Sequence, residues 1–382
     1  MSTNKNQQSI IKPLTSLRFV AAAAVVFAHF GYPYSTGGIA VGFFFLLSGF
    51  ILAHNYVDNF EALTVESVVR LWALRIARIW PLHLVMFAAV VPLMWIRGTQ
   101  YTDWQTLANV FLLQAWYPDG VNIFSYNGVS WTISNELFFY ISLPFLLFAF
   151  NRFGVSRTAM RAAFAGIAAF ACLFLIALLL RTKMVAFSVD WWLMNVSPYV
   201  RIFDFVIGLC LGLLFRRLQG MRARWFDVPI FTLLEVASLL FLVALFRSTW
   251  HKWPTLDVSA YYQPAMASII LAFAFQRGLL SKILSHRVPM HLGEISFALS
   301  MVHQPIMYYA DHFIGPTIMI AKDVSHIWGQ VLLSVLMLAL ADCAYRYIEV
   351  PARNGVRALI SKRTVSAYPA RPDEPVSRHG AA

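Results

Sequence analysis

Charge is what this chain has least of, and acidic charge least of all. Its 382 residues include 18 Asp and Glu against 30 Lys and Arg, so charged residues make up 13% of the chain and hydrophobic ones 59%. Ordinary soluble domains carry roughly 25% charged and 45–50% apolar residues, so a water-soluble class is excluded. Cysteine is scarce too. Cys172, Cys210 and Cys343 all lie within apolar runs and carry no information on disulfides or redox compartment. Nothing matches a glycine-rich phosphate loop, a metal-spaced His/Cys cluster or a serine-hydrolase elbow, so no metal and no permanently bound cofactor is expected. No repeat of fixed period is present either. That absence, with Pro305 and Pro351 unmatched in two halves, weighs against a secondary transporter, whose halves commonly repeat.

Long apolar runs fill the rest. They fall at about 17–31, 38–55, 78–96, 131–150, 162–180, 199–215, 229–246, 262–276, 293–313 and 327–347. An all-α polytopic membrane protein of about ten transmembrane helices is therefore expected, although several runs are shorter than the ~20 residues a perpendicular helix needs. With the N-terminus cytoplasmic, the outer face would hold Arg97, Arg181, Lys183, Arg201, Arg247, Lys252 and Lys322, and every other Lys and Arg would face inward. The positive-inside bias then places both termini in the cytoplasm and explains the formal charge of +12 without nucleic acid. Residues 1–13 read as a polar tail, 14–353 as one membrane domain, and 354–382 as a disordered cytoplasmic tail rich in proline. A cleaved signal peptide is the rival reading of the first run. Its small residues, Ala21–Ala24, sit too early for cleavage to leave a hydrophobic region before them.

Arg18 and His29 interrupt the first run. Eleven residues make three helical turns, so both side chains share one face, about 16 Å apart along the axis. Ionisable groups within a span are costly and mark functional pathways by default. Snorkelling of Arg18 and a satisfied interior His29 are the bland alternatives. Glu136, in "SWTISNELFFYISLP", lies near the outer end of the fourth run, at the level where His29 ends the first. A carboxylate there can fix the tautomer of an imidazole base, or simply serve a helix start. Arg75 and Arg78, in "LRIARIWP", stand one turn apart at the inner mouth of the third run. Such a pair can grip a phosphate bidentately, and also satisfies the positive-inside rule. His303, before Pro305, and Glu349, close to Arg353, are further candidates; an ion pair accounts equally for Glu349. Gly38, Gly42, Ser48 and Gly49 suit close helix packing. The aromatics of residues 97–131 (Trp104, Trp116, Tyr117, Phe124, Tyr126 and Trp131) suit an interfacial belt or a platform for sugar rings.

In this order, Arg18 and His29, "SGF" at Ser48–Phe50, Arg75 and Arg78, "SWTISNELFFY", "GEISFALSMVHQP" and "YIEVP" resemble the integral-membrane acyltransferase 3 family. Its members O-acylate surface polysaccharides, lipopolysaccharide, peptidoglycan, nodulation factors and macrolides. The resemblance implies a membrane O-acyltransferase, most simply an acetyltransferase of the bacterial inner membrane. Its donor would be cytoplasmic acetyl-CoA or another acyl-CoA, and its acceptor a hydroxyl of a cell-surface or exopolysaccharide sugar. A small natural product such as a macrolide, or a lipid-linked precursor, is the alternative acceptor. Arg75 and Arg78 would hold the CoA phosphates. His29, oriented by Glu136 and with Arg18 below it, would activate the acceptor or carry the acyl group itself. The partners implied are acyl-CoA, a glycan, the bilayer and polysaccharide-assembly proteins. Some relatives carry a fused hydrolase-like domain, whose place the short tail does not fill, so transfer is expected to be direct or completed by a separate protein.

Overall fold

The computed structural model describes residues 10–31, 35–180, 185, 187–220, 227–249, 259–315 and 324–366. The expected polar start at residues 1–9, the tail from 367, and Lys5, Arg181, Lys183, Lys252 and Lys322 of the charge map lie outside the described residues. Among the described residues the regular structure is helical, with no strand. The first half comprises α1 (Lys12–His29), α2 (Ser35–Tyr56), α3 (Val65–Ile96), α4 (Asp103–Val110), α5 (Gly120–Ile123), α6 (Trp131–Arg152) and α7 (Ala159–Leu180). The second comprises α8 (Val189–Asn195), α9 (Pro198–Leu218), α10 (Asp227–Thr249), α11 (Ser259–Ala274), α12 (Leu279–Leu284), α13 (Arg287–Glu294), α14 (Ser296–Phe313), α15 (Val324–Ala344) and α16 (Val350–Ser366).

Each apolar run falls on a helix, but among the described residues seven stretches are long and apolar enough to cross a membrane: Thr36–Phe60, Val65–Ile96, Gly128–Arg152, Ala159–Leu180, Val189–Leu218, Asp227–Ser248 and Ile327–Ile360. The helices over the other three runs fall short for physical reasons. Helix α11 has 16 residues, while α1 and α14 are diluted by Lys12, Arg18 and His29 and by His303, Asp311 and His312. Two of the three, α1 and α14, thus owe their low hydropathy to the same ionisable residues that the sequence marks as candidates.

Two boundaries differ from expectation. Helix α3 starts at Val65, where the Thr64 hydroxyl accepts from the Ser67 N–H at 3.2 Å, so Arg70–Arg78 is helix and not a connection. Beyond residue 354 the chain also stays helical, to Ser366, instead of becoming disordered. Val356 and Ile360, half-buried at i and i+4, and the Glu349–Arg353 pair give that segment a packed edge.

The bundle is held by close approaches and by polar repairs at prolines. Helix α2 packs most extensively on α9. A Cβ at Gly49 would run into the Phe205 carbonyl, and one at Gly208 into that of Leu46, so both glycines let the backbones meet. Gly38 behaves otherwise: nothing lies within 4 Å of where its Cβ would be. Pro144 lacks the N–H that would bond the Tyr140 carbonyl, and the Trp72 indole donates to it instead at 3.0 Å. Pro305 likewise frees the Met301 carbonyl, which accepts from the Asn127 amide at 3.0 Å. In a water-free interior an unfilled carbonyl is costly, so these bonds allow prolines in the helices that wall the site.

Candidate active site

Helix α1 ends where Gly31, at φ +79°, turns the chain left-handed, which leaves His29 on the last turn. Its Nδ1 lies 2.9 Å from the carbonyl of Val25, one turn earlier. A carbonyl only accepts, so Nδ1 carries the hydrogen and Nε2 of the neutral ring carries the lone pair. The tautomer is therefore fixed by the histidine's own helix, not by Glu136. Glu136 instead accepts from the Tyr140 hydroxyl at 2.9 Å.

His29 and Glu136 nevertheless share a cavity of about 190 Å³. Arg18, Trp131, Asn195, Arg201, Ser300 and Gln304 contribute to its walls. A second cavity, of about 290 Å³, lies beside Arg75, Arg78, Glu349, Arg353 and Arg357. Arg18 lines this one as well, so a single guanidinium is common to both cavities. Arg18 and Arg78 are each within electrostatic reach of Glu136 and Glu349, which offset the repulsion between the two arginines.

The arginine cavity lies among α1, α2, α3, α13, the Tyr345–Glu349 turn and α16. Arg75 is buried, donates to the Tyr56 hydroxyl at 3.1 Å and stacks over that ring at 5.4 Å. Arg78 follows one turn later on α3, as the i, i+3 spacing requires. Glu349 ends a π-helical turn, Tyr345–Glu349, between α15 and α16, and accepts from Arg353 at 3.2 Å. Such turns shift the register of a helix face and recur at functional sites. They swing Glu349 inward, where it is 2% exposed.

His303 is fully buried on α14, with its ring centre 5.1 Å from that of His29 and the planes tilted by 56°. Thus Arg18, His29 and Glu136 meet in one cavity, Arg75, Arg78 and Glu349 meet in the other, and His303 stands behind His29. The aromatic segment divides. Phe124 and Trp131 line the His29 cavity, whereas Tyr126 packs on Phe87 and Tyr101, and Trp116 meets Phe138 edge-on. Trp104 and Tyr117 are exposed.

One wall of the His29 cavity escapes the reading by motif. Arg201 sits over Phe45 at 5.1 Å and pairs with Asp204 at 3.1 Å, while Gln263 donates to Asp204. All three are buried. The signal was present in the sequence: two opposite charges three residues apart within an apolar run belong to a polar interior.

Residues 12–346 match the family described as "Acyltransferase domain". The chain is 28% identical to "Acyltransferase MdmB" of Streptomyces mycarofaciens, over 92% of both proteins. It is 22% identical to "Peptidoglycan O-acetyltransferase OatA" of Listeria monocytogenes, over 92% of this chain and 57% of that protein. It is 20% identical to "O-acetyltransferase OatA" of Staphylococcus aureus, over 89% and 57%. The chain thus spans a little over half the length of these OatA relatives. No solved structure matches.

Proposed function

Since this chain belongs to the acyltransferase 3 family of membrane O-acyltransferases, we propose that it takes an acetyl or other acyl group from acyl-CoA and delivers it to a hydroxyl of a cell-surface sugar. The observation that carries this reading is the pair of cavities meeting at Arg18. A donor with a phosphate-rich head and a long neutral arm needs a cationic recess at one end and a base at the other. Arg75 and Arg78, with Arg353 and Arg357 facing the same recess, suit the phosphates. The arm then passes Arg18 and brings its thioester beside His29.

In this reading the acceptor enters the His29 cavity from the side of Trp131 and Asn195. Its hydroxyl gives its proton to Nε2 of His29 as its oxygen bonds to the thioester carbonyl carbon. The carbon–sulfur bond then breaks, and His29 returns the proton to the departing thiolate. Arg18, about three turns below His29 on α1, meets the donor arm where the two cavities adjoin and not the thioester itself. Glu136, held by Tyr140, balances the arginine and offers the acceptor a hydrogen-bond acceptor. A cytoplasmic donor side and residence in a bacterial inner membrane complete the proposal.

The test is the O-acetyl content of the surface glycan, read by proton NMR in a deletion strain complemented with wild type or His29→Ala at matched membrane levels. Acetyl signals lost on deletion and restored by wild type alone support the proposal. Restoration by both proteins removes His29 from the chemistry. No change on deletion directs the acceptor towards a small natural product or a lipid-linked precursor. Label retained on the protein from radiolabelled acetyl-CoA without acceptor would indicate an acyl-histidine step instead of direct transfer.

A further inference from the structure

A glycine inside a helix weakens it relative to alanine, so it persists where a close approach or free room requires it. Three glycines near the site meet the first condition. Gly49 and Gly208 admit a neighbouring backbone, and a Cβ on Gly37 would stand 3.2 Å from that of Ala28. Gly38 does not: no atom lies within 4 Å of where its Cβ would be. The direction of that room follows from the helix. Gly38, Val41 and Phe45 are spaced i, i+3 and i+7 on α2, so they share one face, and all three line the His29 cavity. Along this face the side chain grows from none to valine to phenylalanine, so α2 leaves the cavity widest at Gly38. At the narrow end Arg201 covers the Phe45 ring at 5.1 Å.

The wide end is the His29 end. Gly37 meets Ala28, and Gly38 and His29 each stand one residue from that contact, so at a rise of ~1.5 Å per residue they lie within about one turn of each other in depth. Further along α2, Leu47 and Ile51 line the arginine recess instead. A donor arm coming from that recess therefore meets the narrow part of the cavity first. We propose that Gly38 is a specificity-determining residue: the room left by its missing side chain holds the acceptor ring that bears the reacting hydroxyl. The inference rests on the reading of the His29 cavity as the place of transfer, and it assigns the wide end of that cavity to the acceptor. Phe124 and Trp191, with ring centres 6.3 Å apart, and the Asn195 amide line the same cavity. Apolar faces with a few polar groups are what a sugar ring can use. A side chain added at Gly38 meets no protein atom, so it acts on the acceptor and leaves the packing of the bundle as it is.

The test compares wild type with Gly38→Ala, Gly38→Val and Gly38→Leu as purified, detergent-solubilised full-length protein. Acetyl-CoA is the donor, the unacetylated surface glycan isolated from the deletion strain is the acceptor, and rates are normalised to folded protein. The expected result is a kcat/KM for the glycan that falls stepwise with side-chain size, by about tenfold or more at Leu, with the KM for acetyl-CoA within about twofold of wild type. A structural role predicts the reverse, a lowered unfolding midpoint with the rate per folded protein unchanged. A glycan kcat/KM that does not fall with side-chain size overturns the proposal. So does a loss that resides in the KM for acetyl-CoA, which would give the room to the acyl group. Should Leu fail to fold, the step from Ala to Val decides by the same criterion. Failure of the underlying reading looks different: wild type transfers nothing from acetyl-CoA to the glycan, or His29→Ala keeps its rate.

Discussion

His29 is the residue on which the proposed chemistry turns, and its tautomer is set by one backbone carbonyl. His29→Ala should lower acyl transfer by about 10²–10⁴-fold, the usual worth of a positioned general base, measured in membranes at matched protein level. Arg75 and Arg78 carry a different share. A charge-assisted hydrogen bond is worth about 1.5–3 kcal/mol, so Arg78→Gln should raise the KM for acyl-CoA by roughly 10- to 100-fold while changing the acceptor KM little, in a direct thiol-release assay. Arg201 and Asp204 are read in stability. Asp204→Leu alone removes the carboxylate that pairs with the buried Arg201 and should cost about 3–5 kcal/mol in detergent unfolding. Arg201→Met combined with Asp204→Leu should recover much of that loss, because a buried ion pair is often replaceable by apolar groups of similar volume.

Between helices, contact depends on which residues are small and which carbonyls are filled. Gly49 and Gly208 let α2 and α9 meet backbone to backbone. Gly49→Ala should therefore destabilise the bundle, whereas Gly38→Ala, with open space at its Cβ, should leave the unfolding midpoint nearly unchanged. Only the neighbours across the interface distinguish these two glycines, which look alike in the second apolar run. The proline repairs belong to the same scale. Trp72→Phe removes the donor to the Tyr140 carbonyl and should cost about 1 kcal/mol, read as a lowered midpoint in the same unfolding assay.

Over the whole molecule, the recess near Arg75 and the cavity near His29 lie at different depths of one bundle and join at Arg18. On the proposed reading, the two substrates reach the site from opposite sides of the membrane. Inverted membrane vesicles should transfer from added acyl-CoA, which does not cross bilayers, and right-side-out vesicles should not. Transfer by right-side-out vesicles alone would place the arginine recess on the outer face and reverse the assigned orientation.

Hydropathy in the sequence determined the helical membrane class, and the ordered motifs determined the family, because burial in lipid imposes composition on every turn of every span. The candidate residues were also legible, since Arg18, His29, Glu136 and His303 each stand where an apolar run should carry no such group, and Arg75 and Glu349 stand beside the ends of runs. Depth along a helix follows from counting residues, so the roughly 16 Å between Arg18 and His29 needed no structure. Contact between helices does not follow, because it depends on the rotation and tilt of elements far apart in the chain. Only the tertiary structure could give His29 to Val25 rather than to Glu136, set His303 behind it, and place Arg18 in two cavities at once. It also decided that Arg201, paired with Asp204, forms part of the cavity's wall, since a buried pair three residues apart reads the same whether it faces a cavity or a solid core.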